Sequence, residues 1–165
     1  SKAEPIHLSA SGEKMMGLYC GVELKSVIDG TCNKKGVTPA TYSVSDNNVV
    51  IKCNVQCPPL RVDNTWVKEI DNLGFKLLTS ENVDIIQSLE VFDDEIVIQC
   101  SQSPLNCRLF YGFNGNGGYD GRLKGSRGNI CDSGDKVYSG NIGGKRYALS
   151  NYLYSFDLIL KTTGY

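Results

Sequence analysis

NVVIKCNV (residues 48–55) and EIVIQC (residues 95–100) are the two stretches that decide the fold class of this chain. In both, β-branched and other apolar residues fall at every second position, and a period of two is typical of a strand with one buried face. A short acidic or amide-rich turn precedes each stretch, and Pro58-Pro59 ends the first one. The residues that this alternation predicts to be buried are Val49, Ile51, Ile96 and Ile98.

A third alternating stretch, YLYSFDLILK, occupies residues 152–161 near the end of the chain. Its aromatic and aliphatic residues fall on one face, so we expect it to pair inside a sheet. On that face the pattern predicts that Phe156 and Leu158 are buried.

Two stretches between these strands have helical periodicity. In residues 64–74, Asn64 is a suitable N-cap and Gly74 a suitable C-terminal stop. Residues 80–92 repeat the apolar spacing, but they are rich in Val and Ile, so a strand is the open alternative. The pattern contains no strand–helix–strand alternation, which disfavours a doubly wound nucleotide-binding sheet. The sequence thus predicts a mainly β fold, α+β at the margin: an antiparallel sheet or sandwich with one or two short helices.

Length and composition are those of one folded domain covering residues 1–165. The chain has 165 residues, of which 41% are hydrophobic and 21% charged, values that are ordinary for a globular protein. No run of about 18 apolar residues is present, so we expect no membrane-spanning helix.

The cysteine content is high, with 7 cysteines in 165 residues. Such a density favours a disulfide-stapled protein that is secreted or displayed at the cell surface, with structural zinc as the less favoured reading. Since seven is odd, at least one thiol is left over, and it could be free, buried, or bonded to a cysteine of another chain or of a missing segment. The expected disulfide cysteines are Cys20, Cys32, Cys53, Cys57, Cys100, Cys107 and Cys131.

Catalytic signals are sparse. The only histidine is His7, so a histidine-based nucleophilic device would have to depend on it. The run Asp93-Asp94-Glu95 precedes a strand and is typical of a solvated turn. We therefore expect no enzymatic activity and no cofactor, although a hydrolase with carboxylates from separate loops stays open.

The glycine-rich stretch 112–128 is the most distinctive local feature. It is polar, long and glycine-rich, which is typical of a binding loop. Its oxygen-bearing side chains leave calcium binding open, although an EF-hand is disfavoured because Gly125 stands where a bidentate Glu is needed. No metal site is therefore predicted. The predicted binding residues are Arg122, Lys124, Arg127, Asn114, Asn116, Tyr119 and Asp120.

Charge is unevenly distributed along the chain. Residues 1–107 carry 9 basic and 14 acidic residues, a net of −5, whereas residues 108–165 carry 8 basic and 4 acidic residues, a net of +4. The total is only −1, so nucleic-acid binding is not expected. The basic part favours an acidic glycan or an acidic protein surface as the partner.

Together these features predict a non-catalytic extracellular recognition or adhesion module that binds a protein or an acidic glycan. Two other classes stay open: a small secreted hydrolase and a structural component of a matrix or coat.

Overall fold

The computed structural model describes residues 10–30, 36–113, 121–136, 139–142 and 144–164. This part of the chain contains one α-helix and a set of short antiparallel strands. The elements are α1 (Ala10–Ile28), β1 (Thr38–Ser45), β2 (Asn48–Asn54), β3 (Arg61–Val62), β4 (Phe75–Leu78), β5 (Ile86–Val91), β6 (Glu95–Cys100), β7 (Arg108–Tyr111), β8 (Ile130–Cys131), β9 (Ser139–Ile142), β10 (Lys145–Ala148), β11 (Phe156–Ile159) and β12 (Thr163–Gly164).

Two sheets enclose the main core. The larger sheet has the order β12-β1-β2-β6-β5, and the smaller one has the order β11-β7-β4. Two two-stranded pairs, β10-β9 and β3-β8, complete the sheet structure. The predicted mainly β, antiparallel fold is therefore confirmed.

The register of the large sheet explains why the alternating residues are buried. Val49 lies opposite Ile98, and Ile51 lies opposite Ile96. All four side chains are buried, as the sequence predicts. The two similar stretches of sequence thus form neighbouring strands, and their apolar rows share one face.

The small sheet supplies the opposite side of the core. Phe156, Tyr111 and Phe75 form one row across its three strands, and Leu158, Leu109 and Leu77 form the next. Strand β11 is at the edge of this sheet, so Phe156 and Leu158 pack against the core but are only half-buried. Their predicted face is correct, and their burial is less complete than expected.

Neither predicted helix is present. Residues 80–92 contain strand β5, the open alternative, because the Val- and Ile-rich segment pairs with β6. Residues 64–74 form turns, of which the last is a short 3-10 turn at Asp71–Gly74. The 64–74 prediction was wrong because tertiary contacts take up the backbone groups that a helix would pair internally, as described below.

The helix that does form, α1, carries no clear amphipathic pattern. Its half-buried side chains include Leu18, Tyr19 and Val22, whereas Leu24 and Ile28 are exposed. Apolar residues thus lie on both faces, so periodicity gives no signal. No helix in the described part of the chain is long and apolar enough to cross a membrane.

The predicted disulfide staples are not found: no disulfide joins two described cysteines, and Cys32 lies outside the described residues. Cys53 and Cys100 are both buried, but Cys53 lies beside Asp94 and Cys100 beside Asn47, at opposite ends of the β2–β6 ladder. Cys131 is buried in β8, opposite Arg61. These thiols pack as small apolar side chains, which is the ordinary behaviour of a buried free cysteine.

Candidate functional site

A groove opens where the two sheets diverge. The backbone N–H of Ile85 donates to the carbonyl of Leu77 at 3.0 Å, so the chain leading into β5 is tied to β4 at one end. Farther along, β5 separates from the segment that precedes β4 and leaves a space of about 780 Å³. Its apolar lining residues are Val62, Ile70, Leu73, Leu89 and Val91, and its polar rim is formed by Lys68, Glu69, Asp71 and Asn72.

Strand β5 borders this groove as an edge strand. Within the described residues it pairs on one side only, with β6. The N–H of Phe92 donates to the carbonyl of Glu95 at 2.8 Å, which fixes the alternation of the ladder. By that alternation Glu90 bonds to β6, whereas the peptide groups of Leu89 and Val91 point away from it. An open row of backbone donors and acceptors therefore runs beside the groove.

The other wall of the groove, residues 62–74, is shaped by local polar contacts. The carboxylate of Asp63 accepts from the N–H groups of Thr65 at 2.9 Å and Trp66 at 3.0 Å, which forms an Asx-type turn. Asn72 and Leu73 then adopt φ of 48° and 53°, the left-handed region. A helix could start from such a turn, but the N–H of Lys68 donates to the carbonyl of Arg122 at 2.9 Å and not to that of Asn64, and the left-handed residues then rule out helical backbone at the end of the stretch.

Arg127 fastens this wall to the glycine-rich stretch. Its Nε donates to the carbonyl of Lys68 at 3.0 Å, and its Nη2 donates to the carbonyl of Glu69 at 3.0 Å. Gly74 has φ of 100°, and a Cβ there would lie 2.6 Å from the carbonyl oxygen of Arg127. The two segments are thus in close contact, and only glycine fits at position 74.

Arg122 makes a second junction with the same wall. Its guanidinium carbon lies 4.6 Å from the centre of the Trp66 ring, and its Nη1 donates to the Trp66 carbonyl at 3.2 Å. Tyr147 meets the Trp66 ring edge-on, at a centroid distance of 6.3 Å. The indole therefore joins three segments of the chain through cation–π and aromatic contacts.

A buried acid lies beneath the wall. Burial alone would raise the pKa of Asp63, but the hydroxyl of Tyr152 and the backbone N–H groups of Trp66 and Thr65 donate to it, with Arg61 nearby. The net effect lowers the pKa of Asp63 below its usual value. Burial, together with the charge and hydrogen bond of Asp63, raises the pKa of Tyr152. The pair is therefore a charged acceptor with a neutral donor, a structural role.

A second buried carboxylate organises the chain around β8. Asp132 accepts from the backbone N–H groups of Gly134 at 2.9 Å and Asn151 at 2.8 Å. Arg61 donates to the hydroxyl of Ser150 at 2.8 Å. The Ser150 carbonyl in turn accepts from the Tyr19 hydroxyl at 2.7 Å, so this polar cluster also holds α1.

A second groove, of about 820 Å³, lies at the far end of β2 and includes Cys53 and the Asp93-Asp94 turn. Burial and the charge of Asp94 raise the pKa of Cys53 to about 12, so its thiol is protonated near neutral pH. A protonated thiol is a poor nucleophile and a poor metal ligand. Lys52 lies 3.7 Å from the carboxylate of Asp94, which is consistent with a solvated turn. We place the candidate site at the β5 groove because an open strand edge borders it.

The residues of the sequence-predicted binding loop are partly described. Arg122 and Arg127 direct their guanidinium groups at backbone carbonyls of the 62–74 wall, and Lys124 is exposed. The remaining predicted binding residues, together with His7, lie outside the described residues; they are Asn114, Asn116, Tyr119 and Asp120. Among the described residues, no group of three or more His, Cys, Asp or Glu side chains could hold a metal ion.

Local sequence patterns do not reveal the groove, because its lining comes from two separate segments of the chain, within residues 62–73 and 89–91. One signal was available: the strand alternative for residues 80–92 places Leu89 and Val91 on one face and Glu90 on the other. Comparison with protein-family models, with curated proteins and with solved structures gave no match. The function is therefore argued from the geometry of this groove alone.

Proposed function

We propose that this chain is a non-catalytic recognition module that binds an extended segment of a partner protein along β5. The observation that supports the proposal is the open edge of β5 beside a groove that combines aliphatic lining residues with a polar rim. Peptides that add a strand to a sheet obtain affinity from backbone hydrogen bonds, and side-chain pockets supply specificity. Here the peptide groups of Leu89 and Val91 supply the backbone hydrogen bonds, and the groove supplies the side-chain pockets.

An extended protein segment suits this site better than a glycan. Five of the nine residues that line the groove are aliphatic, among them Val62, Ile70 and Leu89. Aliphatic lining residues accept the alternate side chains of a bound strand, whereas a protein that binds an acidic glycan needs several cationic or polar groups. Location outside the cell, binding by the 112–128 loop and an intermolecular disulfide remain predictions from the sequence.

Peptide selection tests the proposal. Random peptides displayed on phage would be selected on the protein, and the enriched peptides synthesised and titrated by fluorescence anisotropy. We expect Val62→Asp, which puts a charge among the aliphatic residues of the groove, to weaken peptide binding about tenfold or more. The matched control is Val83→Asp, because Val83 is exposed and does not line the groove.

Hydrogen exchange gives the second measurement. A strand bound at β5 slows exchange of the Leu89 and Val91 amides, whose N–H groups point away from β6. Exchange at Glu90 should change little, since that amide is already bonded to β6. Selected peptides that bind Val62→Asp as well as wild type, or that leave both outward amides unprotected, would refute the proposal.

A further inference from the structure

We infer that the partner segment is an extended strand in which apolar and basic residues alternate. This inference rests on the proposed function and adds the chemistry of the ligand. It is carried by the two faces of β5 and by the charge of Glu90.

The face of β5 that carries Leu89 and Val91 determines which positions of the bound strand are apolar. Both side chains line the groove and pack against the core. A strand that bonds to the open edge alternates in the same way, so every second side chain enters the groove beside them. Apolar residues suit those positions best, since their neighbours on β5 are the aliphatic side chains of Leu89 and Val91, which offer a polar group no hydrogen bond.

The opposite face of β5 determines the charge of the bound strand. Glu90 is exposed and lies on the face away from Leu89 and Val91. A residue of the added strand directly across from Glu90 has its Cβ about 5 Å away, where opposite charges attract and like charges repel. Across the groove the rim carries Glu69 and Asp71, and these are balanced by Lys68 and by the Arg127 guanidinium on the same wall, so the charge that selects a basic residue is that of Glu90.

Glu90 also disfavours a second copy of this chain as the occupant. In a dimer, antiparallel pairing of Leu89 with Val91 of the second copy would let the outward-pointing peptide groups of both residues form hydrogen bonds between the two β5 strands. That register places the two Glu90 side chains directly opposite each other. Charged residues on an edge strand commonly prevent such self-pairing.

Three peptides of equal length, in which Val alternates with Lys, Gln or Glu, provide the test. At low salt we expect wild type to bind the Lys peptide best and the Glu peptide worst, with each step about two- to fivefold in Kd. Rising salt should compress this order, because Glu90 is exposed. Glu90→Lys should reverse the order, whereas Glu23→Lys, the same charge change on the exposed surface of α1, should preserve it.

The outcomes separate the inference from the proposed function. If the peptides protect the Leu89 and Val91 amides but bind with equal affinity, or if Glu90→Lys keeps the wild-type order, the basic partner is wrong and strand capture stands. If none of the three peptides protects those amides while selected peptides also fail to do so, strand capture itself is wrong.

Discussion

Asp63 illustrates how single residues hold the wall of the groove. It is only 6% exposed, yet its pKa lies below the usual value because donors surround it. One of its oxygens accepts from the turn at Thr65 and Trp66, and the other accepts from Tyr152. The charge of one side chain therefore links the wall to a segment of the chain far away in sequence.

Acid stability tests this arrangement. A carboxyl whose folded pKa is depressed stabilises the protein fully above its unfolded pKa, about 3.9, and loses this effect as the pH falls through the folded value. Tyr152→Phe removes one donor, so we expect it to cost about 1–3 kcal/mol at neutral pH and to move acid unfolding to a higher pH. Urea denaturation at neutral pH measures the first effect and circular dichroism as a function of pH measures the second, with Tyr154→Phe as the exposed control. An unchanged acid transition would show that Tyr152 does not hold the charge of Asp63.

The thiols give a second test at the residue scale. Burial raises the pKa of Cys53, Cys131 and Cys100, to about 12, 12 and 11. We expect iodoacetamide to modify the exposed Cys20 in the native protein and to leave these three unmodified until the chain unfolds. Peptide mass mapping without reductant would check this. If the buried cysteines are labelled only when both denaturant and reductant are present, they are in disulfide bonds, as the sequence predicts.

At the scale of elements, strand periodicity was reliable and helix periodicity was not. The alternation at residues 48–55 and 95–100 reports burial on one face of a sheet, and both strands are found. The apparent helix at residues 64–74 fails because Arg127 takes up the carbonyls of Lys68 and Glu69, and the carbonyl of Arg122 takes up the N–H of Lys68. Those partners are distant in sequence or lie on side chains, so no local pattern reveals them.

The central strand β6 offers a direct test of the predicted face. Ile98 is fully buried between the sheets, whereas its neighbour Val97 faces the other way and is half-buried. We expect Ile98→Ala to cost about 2–5 kcal/mol and Val97→Ala clearly less. Urea denaturation monitored by tryptophan fluorescence measures the free energy of unfolding of both variants. Equal losses in the two variants would mean that the inward face of β6 is misassigned.

Arg127 tests how the groove depends on the glycine-rich stretch. Arg127→Lys keeps the charge but loses the planar fork that donates to Lys68 and Glu69. We expect peptide affinity to fall severalfold, because the groove wall is less firmly held, while the melting temperature falls only slightly. Arg146→Lys, at an exposed position of β10, is the control and should leave the affinity unchanged. If Arg127→Lys also leaves it unchanged, the fork does not shape the groove.

At the scale of the whole molecule, the fold class was predictable and the site was not. Fold class depends on local alternation, which one sequence displays directly. The groove depends on where two sheets diverge and on a wall joined by long-range contacts, such as Arg127 with Lys68. The sequence drew attention to the arginines of the glycine-rich stretch because they are clustered and charged. The structure directs two of them at backbone carbonyls of the groove wall, and their predicted direct role in ligand binding remains to be tested.

Hydrogen exchange should reveal how stability is distributed over the molecule. Strand β6 bonds to β2 and β5, and β7 bonds to β4 and β11, so their amides are paired within the two sheets. We expect these amides to exchange only through global unfolding, with a common free energy in the range of about 5–15 kcal/mol. The α1 amides should exchange faster, by local opening, because Leu24, Val27 and Ile28 are exposed and therefore contribute little apolar burial. Exchange measured at two protein concentrations provides the check: α1 amides as slow as those of β6, and slower still at the higher concentration, would show that a second copy covers the exposed side of this helix.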